Sequence, residues 1–115
     1  MPTSPPALSD ADAQAAIAGL TGWSADAGWL RRTYRTDGWP TTLMLVNAIG
    51  FIAEAADHHP DLVVKWSSVE VGLQTHTAGG ITGKDVELAR LIEASASWRP
   101  GAGSALDGTT KKWVQ

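Results

Sequence analysis

Two prolines limit the longest regular element that this sequence can form. Pro40 has no amide hydrogen, so it fits the first position of a helix, where that hydrogen would lack an intrahelical partner. Between Pro40 and Pro60, apolar residues recur with the 3.6-residue period of a helix, at Leu43, Val46, Ile49 and Ala53. A proline inside a helix removes a hydrogen bond and clashes with the preceding turn. The sequence therefore predicts a long central helix that Pro60 ends, with His58 and His59 in its last turn.

The segment after Pro60 has the pattern of a β-hairpin, with strands at Asp61–Lys65 and Ser68–Thr75. Successive side chains of a strand point to opposite faces, so the second strand has one apolar and one polar face. The apolar face contains Val69, Val71, Leu73 and Thr75. Before the central helix, Trp23–Ser24 and Trp29–Thr36 are predicted as a short and a long strand.

Capping patterns predict two further helices near the ends of the chain. Ser9 is followed three residues later by Asp12, and Thr82 is followed in the same way by Asp85. A hydroxyl at the cap and a carboxylate three residues on satisfy the free amides of a first helical turn. The first pair predicts a short N-terminal helix, and the second predicts a last helix that Pro100 ends.

The predicted elements follow the order α-β-β-α-β-β-α. Helices that cover one side of an antiparallel sheet define an α+β fold, so we expect a four-stranded antiparallel sheet with three helices on one face. Residues 8–99 are expected to form a single domain. Residues 1–7 and 100–115 are rich in Pro, Gly, Ser and Thr, which predicts flexible N-terminal and C-terminal tails.

Composition excludes several classes of function. A net charge of −3 gives no reason to expect a nucleic-acid footprint. No apolar run approaches the roughly 18 residues of a membrane span, and no secretory signal is visible, so a cytoplasmic location is expected. The chain has 0 cysteines, which rules out disulfides and thiolate metal sites.

All 3 histidines of the chain lie in one short segment, at His58, His59 and His76. Histidine is the side chain whose ordinary pKa, about 6.5, lets it both donate and accept protons near neutrality. The clustering predicts proton-transfer chemistry at a single site.

The histidines belong to the pattern Glu-x3-His-His-Pro-x5-Trp-x9-His-x8-Asp, which runs from Glu54 to Asp85. This pattern resembles the signature of the pterin-4a-carbinolamine dehydratases at every position. The resemblance extends to the long strand before Trp39 and to the segment Ala78–Asp85, and it covers roughly Leu8 to Ala96. It implies the α+β fold predicted above.

The resemblance implies a dehydratase that converts 4a-hydroxytetrahydropterin to quinonoid dihydropterin and water, in support of tetrahydropterin recycling. Neither a metal nor an organic cofactor is required, because histidines near their pKa can move both protons. By position, His58 and His76 resemble acids that reach the departing hydroxyl, and His59 resembles a substrate-positioning group. The pterin-binding set is then Asp57, His58, His59, Gln74, Thr75, His76 and Thr77. Glu54, Trp66 and Asp85 are expected to support the histidines without contacting the substrate. Glu54 lies four residues before His58, on the same face of the predicted helix, and is expected to orient that imidazole.

Two alternatives stay open. Three imidazoles can hold a catalytic zinc ion, but adjacent helical side chains diverge by about 100°, which disfavours a site that uses both His58 and His59. Alternatively, the protein is a catalytically silent scaffold, like relatives that act as dimerisation cofactors or Rubisco assembly factors. Departures from the family pattern at Thr36 and Gly38, together with a tail that carries Trp113, keep this second hypothesis open.

The expected partners are a pterin, an aromatic amino acid hydroxylase (or Rubisco, for a scaffold) and further copies of the chain. An uncovered edge strand is a liability that dimerisation removes, so we expect a homodimer. The resemblance to the family implies that two dimers can join into a homotetramer. Tryptophan is enriched at interfaces. The chain has 6 tryptophans, and all except Trp66, which belongs to the signature, are expected to be core and interface anchors rather than pterin-stacking groups.

Overall fold

Three helices and four strands follow the order α-β-β-α-β-β-α in the residues that the computed structural model describes, 6–108 and 113–115. The elements are α1 (Asp10–Ala16), β1 (Ser24–Asp26), β2 (Trp29–Arg35), α2 (Trp39–Ala56), β3 (Asp61–Lys65), β4 (Ser68–Leu73) and α3 (Gly83–Ser97). The predicted α+β class and element order are confirmed. None of the described helices is long and apolar enough to cross a membrane.

The four strands form one antiparallel sheet in the order β1-β2-β4-β3. In the centre, Leu30 of β2 pairs with Leu73 of β4, and Tyr34 pairs with Val69. The predicted hairpin joins β3 to β4 directly, with Val64 opposite Val69. This register leaves β3 as one edge of the sheet.

The core lies between one face of the sheet and the three helices. The predicted apolar residues of β4 are buried, as are Leu30 and Tyr34 of β2. The helices contribute the buried side chains Ala13, Ile49 and Ile92, and Ile17 is buried directly after α1. The opposite face of the sheet carries aromatic and charged side chains, which include Trp29, Arg31 and Glu70. This face borders the site described below.

The central helix ends earlier than the sequence predicted. α2 stops at Ala56, and Asp57 adopts the left-handed conformation with φ 50° and ψ 42°. This conformation lets the His58 amide donate back to the carbonyl of Ala53 at 3.1 Å, which satisfies a carbonyl that the helix leaves free. The prediction that His58 and His59 lie in the last helical turn is therefore wrong, because the chain reverses direction before it reaches Pro60.

Both capped helices begin where the sequence predicted. The Ser9 hydroxyl accepts from the amide of Asp12 at 3.1 Å at the start of α1. At the start of α3, Asp85 Oδ2 accepts from the Thr82 amide at 2.9 Å, and the Thr82 hydroxyl accepts from the Lys84 amide at 3.2 Å. The second cap fixes the side chain of Asp85 next to the site.

The end of the chain returns to the sheet. Arg35 and Gln115 exchange two main-chain hydrogen bonds of 2.8 Å, and the Asp37 amide donates to the Trp113 carbonyl at 3.2 Å. Residues 113–115 thus pair beside the end of β2. The predicted flexibility of the two tails stays a prediction, and it falls partly on residues 1–5 and 109–112, which lie outside the described residues.

Candidate active site

A cavity of about 350 Å³ lies where the loop after α2 meets the end of β4. The loop enters through the left-handed turn at Asp57, and β4 leads out of the sheet into a 3-10 turn at His76–Ala78. All seven residues predicted to bind the substrate line this cavity: Asp57, His58, His59, Gln74, Thr75, His76 and Thr77.

His58 is held by a buried carboxylate. Its Nε2 atom lies 2.5 Å from Oδ1 of Asp85, and the Asp85 side chain has 0 % solvent exposure. The imidazole itself is 14 % exposed, so it reaches the cavity while its partner stays inside the protein. A carboxylate bound at Nε2 leaves Nδ1 as the ring nitrogen that is free to exchange protons with a ligand.

Asp85 has every oxygen occupied by a specific partner. Oδ1 contacts His58, while Oδ2 accepts from the Thr75 hydroxyl at 2.8 Å and from the Thr82 amide at 2.9 Å. The same carboxylate therefore caps α3 and orients an imidazole of the cavity. A buried carboxylate is tolerable only with such partners.

His59 has a looser environment. Its Nε2 atom lies 3.6 Å from Oε1 of Glu54, and the two side chains are 56 % and 80 % exposed. From helical spacing, Glu54 was expected to orient His58, four residues later. The expectation is wrong, because α2 ends at Ala56 and the turn at Asp57 brings His59 toward Glu54 instead.

His76 has an aromatic neighbour. It opens the 3-10 turn rather than ending β4, which stops at Leu73. The ring centroids of His76 and Trp29 are 6.4 Å apart and the ring planes are inclined by 76°, an edge-to-face arrangement. The three imidazoles thus face one cavity with three different neighbours.

Two of the predicted binding residues also hold the loops together. The Gln74 amide donates to the carbonyl of Gly28 at 3.0 Å, which ties the turn between β1 and β2 to the cavity. The Thr75 hydroxyl is buried against Thr82 and Asp85. These bonds fix the cavity wall.

Trp66 does not lie in the cavity, although it belongs to the signature. It follows β3 at the turn of the hairpin, and the strand's five residues place it about 15 Å from Asp61 at the cavity. Its side chain is 66 % exposed, and its carbonyl accepts from the Thr42 hydroxyl at 2.9 Å. The structure therefore brings Glu54 and Asp85 to the histidines and leaves Trp66 apart.

Sequence reasoning missed three residues of the cavity wall: Pro60, Asp61 and Lys84. Lys84 precedes Asp85 in the capping segment, so its position was available from the motif. Lys84 also lines a neighbouring groove of about 370 Å³, which shares Asp57 and His58 with the cavity and continues between α2 and α3. Among the described residues, no three His, Asp or Glu side chains are grouped as metal ligands.

Fold and site together define a small α+β protein with a histidine-lined cavity at one end of an antiparallel sheet. Residues 6–95 match the family model described as pterin 4 alpha carbinolamine dehydratase, and the chain belongs to this family.

Individual relatives agree with this assignment. A candidate pterin-4-alpha-carbinolamine dehydratase of Roseiflexus castenholzii is 41 % identical over 86 residues, which cover 75 % of this chain and 92 % of that protein. A candidate enzyme of the same description from Aquifex aeolicus is 42 % identical over 86 residues, with 75 % and 87 % coverage. A crystal structure from Brucella melitensis, described as a transcriptional coactivator/pterin dehydratase, has a TM-score of 0.71 and 27 % identity, and the match covers 76 % of this chain and 96 % of that one.

Proposed function

We propose that this protein is a hydro-lyase that dehydrates 4a-hydroxytetrahydropterin to quinonoid dihydropterin and water. The observation that carries the proposal is the pairing of His58 with the buried Asp85 on a cavity that His59 and His76 also line. Family membership and the descriptions of the relatives support the same reaction.

The reaction needs two proton transfers and no change in oxidation state. The C4a–O bond breaks as the hydroxyl takes up a proton, the N5 lone pair forms the C4a=N5 double bond, and N5 then loses its hydrogen. A histidine side chain can serve as an acid or as a base, and a well-positioned one contributes about 10²–10⁴ in rate.

His58 is proposed as an acid. When its imidazole is charged, Nε2–H donates to Asp85 and Nδ1–H is available to the departing hydroxyl. The negative charge of Asp85 stabilises the imidazolium before transfer and keeps the ring in one orientation. His76 is proposed as a second acid on the same cavity, and the two can serve opposite faces of the pterin ring.

His59 is proposed to position the pterin and to share in acid–base chemistry. Its large exposure and its 3.6 Å distance from Glu54 leave the imidazole free to meet a ligand that enters from solvent. Asp57, Gln74, Thr75 and Thr77 supply further polar groups along the wall, and the groove beside Lys84 offers space for a substituent of the pterin.

The biological setting belongs to the same proposal. Quinonoid dihydropterin is the form that a reductase returns to tetrahydropterin, so the enzyme would act in the cytoplasm beside an aromatic amino acid hydroxylase.

We further propose a homodimer built by extension of the sheet at β3, where Val63 and Val64 are 49 % and 39 % exposed. Helix packing across a second interface would give a tetramer.

The decisive experiment is a dehydratase assay on chemically generated 4a-hydroxytetrahydropterin, with and without a chelator. We expect the purified protein to accelerate the reaction equally in both conditions. A rate equal to the spontaneous one, with the protein shown to be folded, would overturn the proposal.

One observation favours a second candidate, a protein-binding scaffold such as a dimerisation or Rubisco assembly factor. The outer surface of α2 and α3 exposes large apolar side chains: Met44 at 54 %, Phe51 at 77 %, Leu91 at 49 % and Trp98 at 58 %. Met44 and Trp98 line one groove, and Phe51 and Leu91 line another. Exposed apolar surface of this kind is typical of protein interfaces. A folded but inactive protein whose gene lies in a Rubisco operon would favour the scaffold, and a neighbouring hydroxylase gene would favour the enzyme.

A further inference from the structure

His76 differs from the other two histidines in what holds it. His58 contacts Asp85 and His59 lies near Glu54, but within residues 6–108 and 113–115 the imidazole of His76 makes no side-chain hydrogen bond or ion pair. Its aromatic neighbour is the indole of Trp29, in the edge-to-face arrangement described above. An exposed side chain without a polar partner samples several rotamers unless packing restricts it.

Trp29 is itself firmly placed. It begins β2, and its ring lies against Gly72 of β4, where an added Cβ would come within 3.4 Å of the indole. The guanidinium carbon of Arg31 lies 5.3 Å from the ring centroid, and Arg31 is in turn paired with Glu70 at 3.3 Å. The indole therefore has neighbours on the sheet that keep it in one position.

The main chain before Trp29 is tied to the cavity as well. Gly28 accepts the hydrogen bond from Gln74, which lies two residues before His76. The start of β2 and the segment that carries His76 are thus joined by a polar bond and by a ring contact. Through these two contacts, the hydrogen-bonded sheet restricts the movement of the His76 imidazole.

We propose that Trp29 is a positioning residue for His76. This inference rests on the proposed dehydratase function and assigns a role to a residue that does not itself line the cavity. The indole restricts the imidazole to the orientation in which it meets the departing hydroxyl. The polarised edge and face of the two rings attract each other.

The test is a double-mutant cycle between Trp29 and His76. Trp29→Ala is expected to lower kcat by about 3- to 10-fold with little change in KM, the size expected from loss of one aromatic pair. In a His76→Ala background the same substitution is expected to have no further effect, because the residue through which it acts is gone. Trp29→Phe keeps an aromatic ring and should restore most of the rate.

A spectroscopic readout tests the contact directly. The ring C–H resonances of His76, assigned by their loss in His76→Ala, should be displaced by the ring current of Trp29 and return toward ordinary positions in Trp29→Ala. Trp29→Leu fills part of the space over Gly72, so it serves as a second non-aromatic variant with less loss of packing. Trp98→Ala, which removes an exposed tryptophan 58 % accessible at the other end of α3, is the matched control and should change neither the rate nor the resonances.

The outcomes separate the inference from the function on which it rests. An active wild type whose kcat falls equally on Trp29→Ala in the two backgrounds, or whose His76 resonances do not move, overturns the positioning role alone. A folded wild type without dehydratase activity overturns the proposed function and this role together.

Discussion

The Nε2 atom of His58 lies 2.5 Å from Oδ1 of Asp85, although the two residues are 27 positions apart in the chain. The carboxylate is inaccessible to solvent and caps α3 through its second oxygen. A group needed for helix stability is therefore also the one that orients a candidate acid. Asp85 was expected to support the catalytic residues without contacting the substrate. It contacts His58 while its own carboxylate is buried.

Asp85→Asn should lower both activity and stability. An amide cannot stabilise the imidazolium of His58 as a carboxylate does. Loss of a hydrogen bond to a charged group costs about 1.5–3 kcal/mol, so kcat is expected to fall about 10- to 100-fold with a smaller change in KM. Weakened hydrogen bonds to Thr75 and Thr82 should lower the free energy of unfolding by about 1–3 kcal/mol. Steady-state kinetics and urea denaturation measure the two effects.

The matched control for that variant is Asp12→Asn, which changes an exposed carboxylate in the first turn of α1, away from the cavity. It should leave kcat unchanged. If both variants reduced kcat alike, the loss would come from general destabilisation rather than from His58.

Replacement of the histidines should separate binding from turnover. His58→Ala and His76→Ala are expected to lower kcat by about 10²–10⁴ with modest changes in KM, since each removes a proposed acid. His59→Ala should also weaken pterin affinity, measured by titration with a stable dihydropterin. Unchanged rates and equal affinities in all three variants would contradict the assigned roles.

Tyr34 should resist ionisation in the folded protein. Burial raises the pKa of its phenol, and the carboxylate of Glu93, which accepts the phenolic hydrogen at 2.7 Å, raises it further. Because the protonated form is favoured in the native state, stability should be fully present below the unfolded pKa of about 10 and be lost as the pH rises above that value.

The chain has 1 tyrosine, so tyrosinate absorbance reports Tyr34 alone. We expect the urea-unfolded protein to titrate with a pKa of about 10 and the native protein to show no tyrosinate until it unfolds. Circular dichroism at each pH identifies unfolding. A native protein that titrated at the same pH as the unfolded one would refute the prediction.

The pairing of residues 113–115 with the end of β2 should contribute to the stability of the fold but not to catalysis. Deletion of residues 113–115 removes three main-chain hydrogen bonds and the half-buried Val114. The free energy of unfolding is expected to fall by about 1–3 kcal/mol, with kcat unchanged. Leu106→Ala, at a side chain 60 % exposed, is the control and should leave thermal unfolding unaltered.

The exposed edge strand β3 should form the dimer interface. Val63→Lys places a charge on the exposed edge strand, and a charged edge disfavours strand pairing between chains. Light scattering is expected to return at least twice the chain mass of 12.1 kDa for the wild type and a mass near 12.1 kDa for the variant. A wild type that is monomeric at micromolar concentration would rule out the dimer.

Much of the fold was predictable because its signals are local. The cap at Ser9, the cap at Thr82 and the alternation in β4 each act within a few residues, and each of these elements begins where it was predicted, although β4 ends at Leu73 rather than at Thr75. The end of α2 was not predictable in this way. Pro60 sets only the last position at which a helix can stop, whereas the left-handed Asp57 stops it earlier by satisfying carbonyls of the helix.

Seven of the ten residues that line the cavity could likewise be predicted, through the resemblance to the family signature, but the partners of the imidazoles could not. Helical spacing paired Glu54 with His58, and only the turn at Asp57 reassigned Glu54 to His59 and left His58 to Asp85. Trp29 reaches His76 across the sheet, from a strand 47 residues earlier in the chain. Residue types and local spacing thus specify the elements and the chemical groups, whereas contacts between distant segments depend on strand register and chain reversal, which only the packed structure determines.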